Sequence, residues 1–128
     1  MSELLIDTSI LVDFLRGRNL AQLYLHSRYR ATRLTTHSAV VAELISGARD
    51  TRELAAIDRL VATFHVHRPT PDDMTTSLES LRRLRLSTGV GWLDCLIAAT
   101  AARIGATVVS LDKKHFSRFE SITLEVPY

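Results

Sequence analysis

Short apolar runs alternate with longer stretches of helical spacing along this chain. That alternation restricts the fold more than any single motif does. Leu4-Leu5-Ile6, Arg33-Leu34-Thr35-Thr36, Phe64 to His67, Ala106 to Ser110 and Ser121 to Val126 read as strands. Between them the spacing predicts helices. The first is capped by Ser9, carries Ile10, Leu11, Phe14 and Leu15, and stops at Gly17. A second lies near Leu20 to Ser27. A third opens at Ser38, carries Val40, Val41, Leu44 and Ile45, and closes at Gly47. A fourth fits Arg52 to Thr63, with Leu54, Ile57, Leu60 and Val61 at helical spacing. Thr70-Pro71-Asp72-Asp73 marks another start, with a capping Thr, Pro at the first helical position and acids in the first turn. Met74, Leu78 and Leu81 continue its apolar face. Gly89 to Gly91 breaks the chain before a helix from about Trp92 to Ile104, which Gly105 ends. Strands separated by helices require parallel crossover connections. The expected architecture is a three-layer α/β/α sandwich around a small, mostly parallel sheet. Ligands of such sheets bind outside the carboxyl ends of the strands.

The length of 128 residues fits one domain, residues 1–128, and 46% hydrophobic content supplies a core. Aromatics are 6%, so that core is aliphatic. The net charge is +2, and fourteen of the sixteen basic residues are Arg. The guanidinium fork matches phosphate oxygens, although a genome rich in Arg codons gives the same count. Cys95 is the one cysteine, which excludes an internal disulfide and suits a reducing cytoplasm. Met1-Ser2-Glu3 and three apolar residues before Asp7 are too short and too acidic for a secretory leader. No apolar run approaches the ~20 residues of a membrane span. The expectation is a cytoplasmic protein with no membrane contact.

Asp7 directly follows the first strand, and Asp112 follows Val108-Val109-Ser110-Leu111 by the same logic. Glu43 falls in the second turn of its helix and Asp94 in the first turn of another. If those helices start at the carboxyl edge of the sheet, four carboxylates from remote segments converge. Clustered carboxylates raise one another's pKa unless a cation or protons neutralise them. Oxygen ligands suit Mg²⁺ or Mn²⁺, which activate water and stabilise a phosphoryl oxygen. Taken singly, each acid reads as a solvated residue or helix cap. Glu43 among Val40, Val41, Leu44 and Ile45, and Asp94 among Leu93, Cys95, Leu96 and Ile97, ask for more.

Four segments carry a family likeness: Ile6-Asp7-Thr8-Ser9, Val41-Ala42-Glu43-Leu44, Trp92-Leu93-Asp94-Cys95-Leu96-Ile97-Ala98-Ala99, and Ser110-Leu111-Asp112-Lys113-Lys114-His115-Phe116. In their order and spacing the chain resembles the PIN-domain ribonucleases, and within them the VapC-type toxins of bacterial toxin–antitoxin pairs. The resemblance implies a PIN-like α/β/α fold and Mg²⁺- or Mn²⁺-dependent cleavage of RNA. It implies catalytic and metal-binding roles for Asp7, Glu43, Asp94 and Asp112, with Asp7 and Asp94 as direct ligands. The fourth acidic position varies in the family, which leaves Asp112 either a ligand or a tuner of the site. Thr8, Ser9 and Ser110 match polar helpers that hold a carboxylate or a water. A homodimer and a small cognate antitoxin are the implied partners.

Other residues invite roles that their context does not require. His65 and His67 share one side of a strand, with no third ligand near, and read as structural. His115, three residues after Asp112, is within reach of a substrate phosphate there, yet as a surface or helix-terminal residue it needs no role. Cys95 reads as a small buried hydrophobe, and Trp92 fits either a core or a dimer interface. Arg82, Arg83 and Arg85, and separately Arg28, Arg30 and Arg33, read as solvated faces or as phosphate contacts. A phosphoryl-accepting receiver domain lacks its paired acid and central Asp here. An Asp-x-Asp phosphatase fails because Ser9 holds the second position, and no Gly-rich phosphate loop is present. The remaining rival is a non-catalytic PIN module that binds RNA or a protein.

Overall fold

The structure, a computed structural model, describes residues 3–128; Met1 and Ser2, part of the leader argument, lie outside them. The elements are β1 (Glu3–Ile6), α1 (Thr8–Leu15), α2 (Asn19–Arg28), β2 (Arg33–His37), α3 (Ser38–Ser46), α4 (Thr51–Val61), β3 (His65–His67), α5 (Pro71–Thr88), α6 (Trp92–Ile104), β4 (Thr107–Val109), α7 (Lys113–Phe116) and β5 (Thr123–Glu125). The five strands form one sheet in the order β3-β2-β1-β4-β5. All four pairings are parallel, with Leu5 beside Thr35 on one side and Val108 on the other. Helices flank the sheet in an α/β/α three-layer sandwich, as the alternation predicts.

The strand order places the site. From β1 the chain steps outward through β2 to β3, then returns to β4 on the opposite side of β1. Where the direction reverses, the segments following β1 and β4 diverge and leave a crevice. Asp7 stands at one lip, its N–H donating to Val109 O at 2.9 Å. Ser110, Leu111 and Asp112 form the other. Two of the three interior strands, β1 and β4, read as mainly apolar runs because both faces of a parallel sheet are covered. Leu5, Ile6, Val108 and Val109 are fully buried.

Several local expectations change. Asp7, not Ser9, occupies the N-cap of α1, so Ser9 lies inside the first turn and its hydroxyl is free for the site. The inward face of α5 is Asp73, Ser77 and Ser80, with Leu81 and Leu84 partly buried, whereas Met74 and Leu78 are exposed. Ser77 and Asp73 have polar partners on α6 and within α5, which apolar periodicity cannot show. Ile45 and Leu54 are exposed as well. The four-residue helix α7 was not expected; it is too short to carry a periodic pattern.

The α5 start follows the sequence closely. Thr70 accepts from Asp73 N–H at 3.1 Å, and Asp73 Oδ2 accepts from Thr70 N–H at 3.0 Å. Thr70→Ala should cost about 1 kcal/mol in urea unfolding through loss of this cap. An unchanged midpoint would show that the buried network around Asp73 holds the turn alone.

Candidate active site

Each acid is delivered by a different segment and held by its own partner. Asp7 follows β1 and is 6% exposed. Ser110 Oγ donates to its Oδ2 at 2.7 Å. The Ser110 hydroxyl also accepts from Asp112 N–H at 2.9 Å, which sets the turn after β4. Ser9 Oγ accepts from Leu111 N–H at 3.0 Å and lies 3.4 Å from Ser110 Oγ. Thr8 Oγ1 donates to Glu43 Oε1 at 3.1 Å across 35 residues of chain. The three hydroxyl residues therefore hold carboxylates and the turn that carries one.

On the opposite side, Asp94 lies in the first turn of α6. Asp112 caps α7: its Oδ1 accepts from His115 N–H at 3.1 Å, and its Oδ2 lies 2.9 Å from His115 Nδ1. The same Nδ1 is 3.6 Å from Asp94 Oδ2. One ligand atom each from Asp94, Asp112 and His115 lies within 4.8 Å of the other two, spacing suited to a metal ion. His115 is the site residue that sequence reasoning set aside. Its signal was the Asp112-x-x-His115 spacing, which folds back only because Asp112 caps a single helical turn.

The electrostatics join the two halves. Burial raises Asp7 from its ordinary 3.8 to about 6, against the Ser110 and Thr8 hydrogen bonds, with Glu43 and Asp112 adding repulsion. Burial also raises Asp94 to about 7, with Asp7, Asp112 and Glu43 repelling its charge and His115 offsetting part of that. All four acids thus act within one field. Raised carboxyl values mean that folding favours the protonated forms. Their stabilising contribution is complete below pH 3.8 and is lost as pH rises through 6 to 7. The melting temperature of metal-free protein, after allowing for other groups, should fall over that window, and Mn²⁺ should restore it at pH 7.5. A Mn²⁺-insensitive melting curve at pH 7.5 would count against a metal at these acids.

The tempting residues elsewhere stay structural. His67 lies 3.1 Å from Glu3, His65 stacks edge-on against it, and neither belongs to a metal-spaced cluster among the described residues. Cys95 is buried. The Trp92 indole N–H donates to Ser77 Oγ at 2.9 Å while the residue stays 36% exposed. Arg85 closes its own helix by donating to Gly89 O and Val90 O. Arg28 and Arg33 lie against Glu125 and Glu3.

The chain also resembles known proteins over nearly its whole length. The PIN domain family matches residues 4–121. The chain is 34% identical to ribonuclease VapC10 of Mycobacterium tuberculosis over 93% of its own length and 90% of the relative's. It is 33% identical to ribonuclease VapC19 of the same organism, over 97% and 98%. Among solved structures, VapBC2 from Rickettsia felis, bound to a DNA fragment from its promoter, superposes with a TM-score of 0.81. That match has 22% identity and covers 96% of this chain and 97% of the other, a likeness of fold.

Proposed function

The chain belongs to the PIN-domain family, related to its VapC ribonuclease toxins, and from this we propose that it is a metal-dependent endoribonuclease acting as the toxin of a toxin–antitoxin pair. One observation carries the reading: Asp94, Asp112 and His115 lie at a spacing suited to a metal ion, and Asp7 and Glu43 stand near enough to repel the Asp94 charge. The donor set fits a hard divalent cation, since carboxylates that repel one another are what such an ion relieves. Mg²⁺ or Mn²⁺ is the proposed cofactor, held by Asp7 and Asp94 with Glu43 and Asp112. When bound, the ion supplies Lewis acidity for water attack and charge stabilisation on the phosphodiester.

The chain's own groups do the positioning. Ser110 fixes which Asp7 oxygen faces the crevice, Thr8 does the same for Glu43, and Ser9 pins the turn carrying Asp112. His115 occupies the space between Asp94 and Asp112 and offsets their repulsion. The excess of Arg among the basic residues suits phosphate contacts with RNA.

The remaining assignments belong to the same proposal: one domain over residues 1–128, a homodimer, a cytoplasmic location and neutralisation by a cognate antitoxin. No described helix is long and apolar enough to cross a membrane. A groove of about 550 Å³ between α1, α3 and α4 supports a protein partner. Leu15, Leu44 and Ile57 wall it, Arg16 and Arg49 line its rim, and it reaches Glu43. A segment lying there would cover one edge of the acidic site.

Purified, partner-free protein should cut total cellular RNA into discrete products with Mn²⁺ or Mg²⁺ and stop on addition of EDTA. Folded protein that binds RNA and cuts nothing with either metal would favour the binding-module alternative.

A further inference from the structure

Helix α3, which carries Glu43, starts on a buried polar chain outside the acidic site. His37 is fully buried and is the N-cap of α3, its Nδ1 accepting from Ala39 N–H at 2.9 Å. That bond requires an unprotonated Nδ1, so the ring proton sits on Nε2. Nε2 lies 2.9 Å from the hydroxyl of Thr100, also fully buried. Thr100 in turn donates to Asp73 Oδ2 at 2.9 Å. Asp73 further accepts from Arg103 Nε at 2.9 Å, Arg103 Nη2 at 3.1 Å and Thr70 N–H at 3.0 Å. The hydrogens therefore run one way, from His37 through Thr100 to a carboxylate balanced by Arg103. Burial holds the imidazole neutral, as this direction requires.

The consequence is mechanical. Helix α3 is nine residues long with no acid in its first turn, so its start depends on the His37 ring. Thr100 lies six residues after Asp94 on α6. The ring therefore ties the start of the helix bearing Glu43 to the helix bearing Asp94. We propose that His37 is a positioning residue for the carboxylate site: clamped between Ala39 N–H and the Thr100 hydroxyl, it sets the spacing of Glu43 from Asp94. The inference rests on the reading of those carboxylates as a divalent-ion site. Stability alone does not demand such a chain, since well-packed apolar groups serve a core at least as well as a buried polar network.

Three variants separate positioning from stability. Thr100→Val keeps the volume and removes the hydroxyl; Thr100→Ser keeps the hydroxyl. His37→Asn retains an acceptor for Ala39 N–H but is too short to reach Thr100. Leu25→Ala, on the buried face of α2, serves as a control that loses stability away from this hydrogen-bonded chain. The measurements are Mn²⁺ affinity of metal-free protein by calorimetry, and kcat and KM for RNA, at a temperature where each variant is folded. Thr100→Val and His37→Asn should weaken Mn²⁺ binding about 10-fold, the effect of losing a group that orients a metal ligand. They should lower kcat with KM unchanged. Thr100→Ser should stay within about twofold of the parent on both measures, and Leu25→Ala should match the parent. Should Thr100→Val not fold, His37→Asn against Thr100→Ser gives the same comparison. Wild-type Mn²⁺ affinity and kcat in all folded variants, with only the melting temperature lowered, would overturn the proposal. Parent protein that binds no Mn²⁺ would overturn the metal-site reading, and the proposal with it.

Discussion

Asp94→Asn should lower RNA cleavage by well over 100-fold while leaving a folded, metal-free protein at least as stable as the parent at pH 8. The two effects have one cause. Asp94 is the acid whose pKa stands highest, at about 7, because burial and three neighbouring carboxylates penalise its charge. The amide keeps the shape and removes the charge, so the repulsion is relieved without a cation. At the proposed site, a divalent ion would lose a ligand at the same time. Loss of a group that merely orients a metal ligand costs about 10- to 100-fold, so loss of the ligand itself should exceed that. Gel-resolved cleavage and thermal melting on the same preparation check both parts. An active Asp94→Asn protein would remove Asp94 from the mechanism. An inactive one that is also strongly destabilised at pH 8 would mean that the carboxylate serves the fold.

The largest expected effect on stability lies away from the acids. Asp73→Ala should destabilise the protein by about 3 kcal/mol at pH 7, at the lower end for breaking a buried ion pair because the stranded Arg103 is partly exposed and can be hydrated. The Asp73 side chain is 2% exposed and accepts from four donor atoms on Thr70, Thr100 and Arg103. Burial pushes its carboxyl up, yet the Arg103 guanidinium, the Thr70 N–H and the Thr100 hydroxyl together hold it down at about 2. A depressed folded value means that the stabilisation is complete above the ordinary 3.8 and is lost as pH falls through about 2. Parent and variant should therefore differ in urea midpoint at pH 7 and converge toward pH 2. Equal midpoints at pH 7 would show that the network contributes no net stability.

The legible part of this molecule was the part governed by periodicity. Leu4-Leu5-Ile6 and Val108-Val109 announce central strands because both faces of a parallel sheet are apolar, and Gly105 announces a helix end. Positions that follow such strands could be placed at the sheet's carboxyl edge, so Asp7 and Asp112 were visible before any coordinates. Glu43 and Asp94 were visible as acids set into apolar runs. What stayed hidden depends on partners distant in sequence. Ser9 looked like a cap because Leu111, its actual partner, lies 102 residues away. Met74 and Leu78 looked like core because the true inward face of α5 is polar and finds its partners on α6. His115 looked idle because only the turn built by Asp112 returns its ring to Asp94.

A single divalent-ion site at these carboxylates is tested most plainly by direct titration. Metal-free protein and its Asp7→Asn variant would be titrated with Mn²⁺ by calorimetry at pH 6.5, in two buffers of different ionisation enthalpy. With Asp7 near 6 and Asp94 near 7, the parent should bind Mn²⁺ and release protons as the ion displaces them, giving buffer-dependent heats, and the variant should bind far more weakly. Mn²⁺ binding with no proton release and equal affinity in Asp7→Asn would place the ion elsewhere and contradict the account.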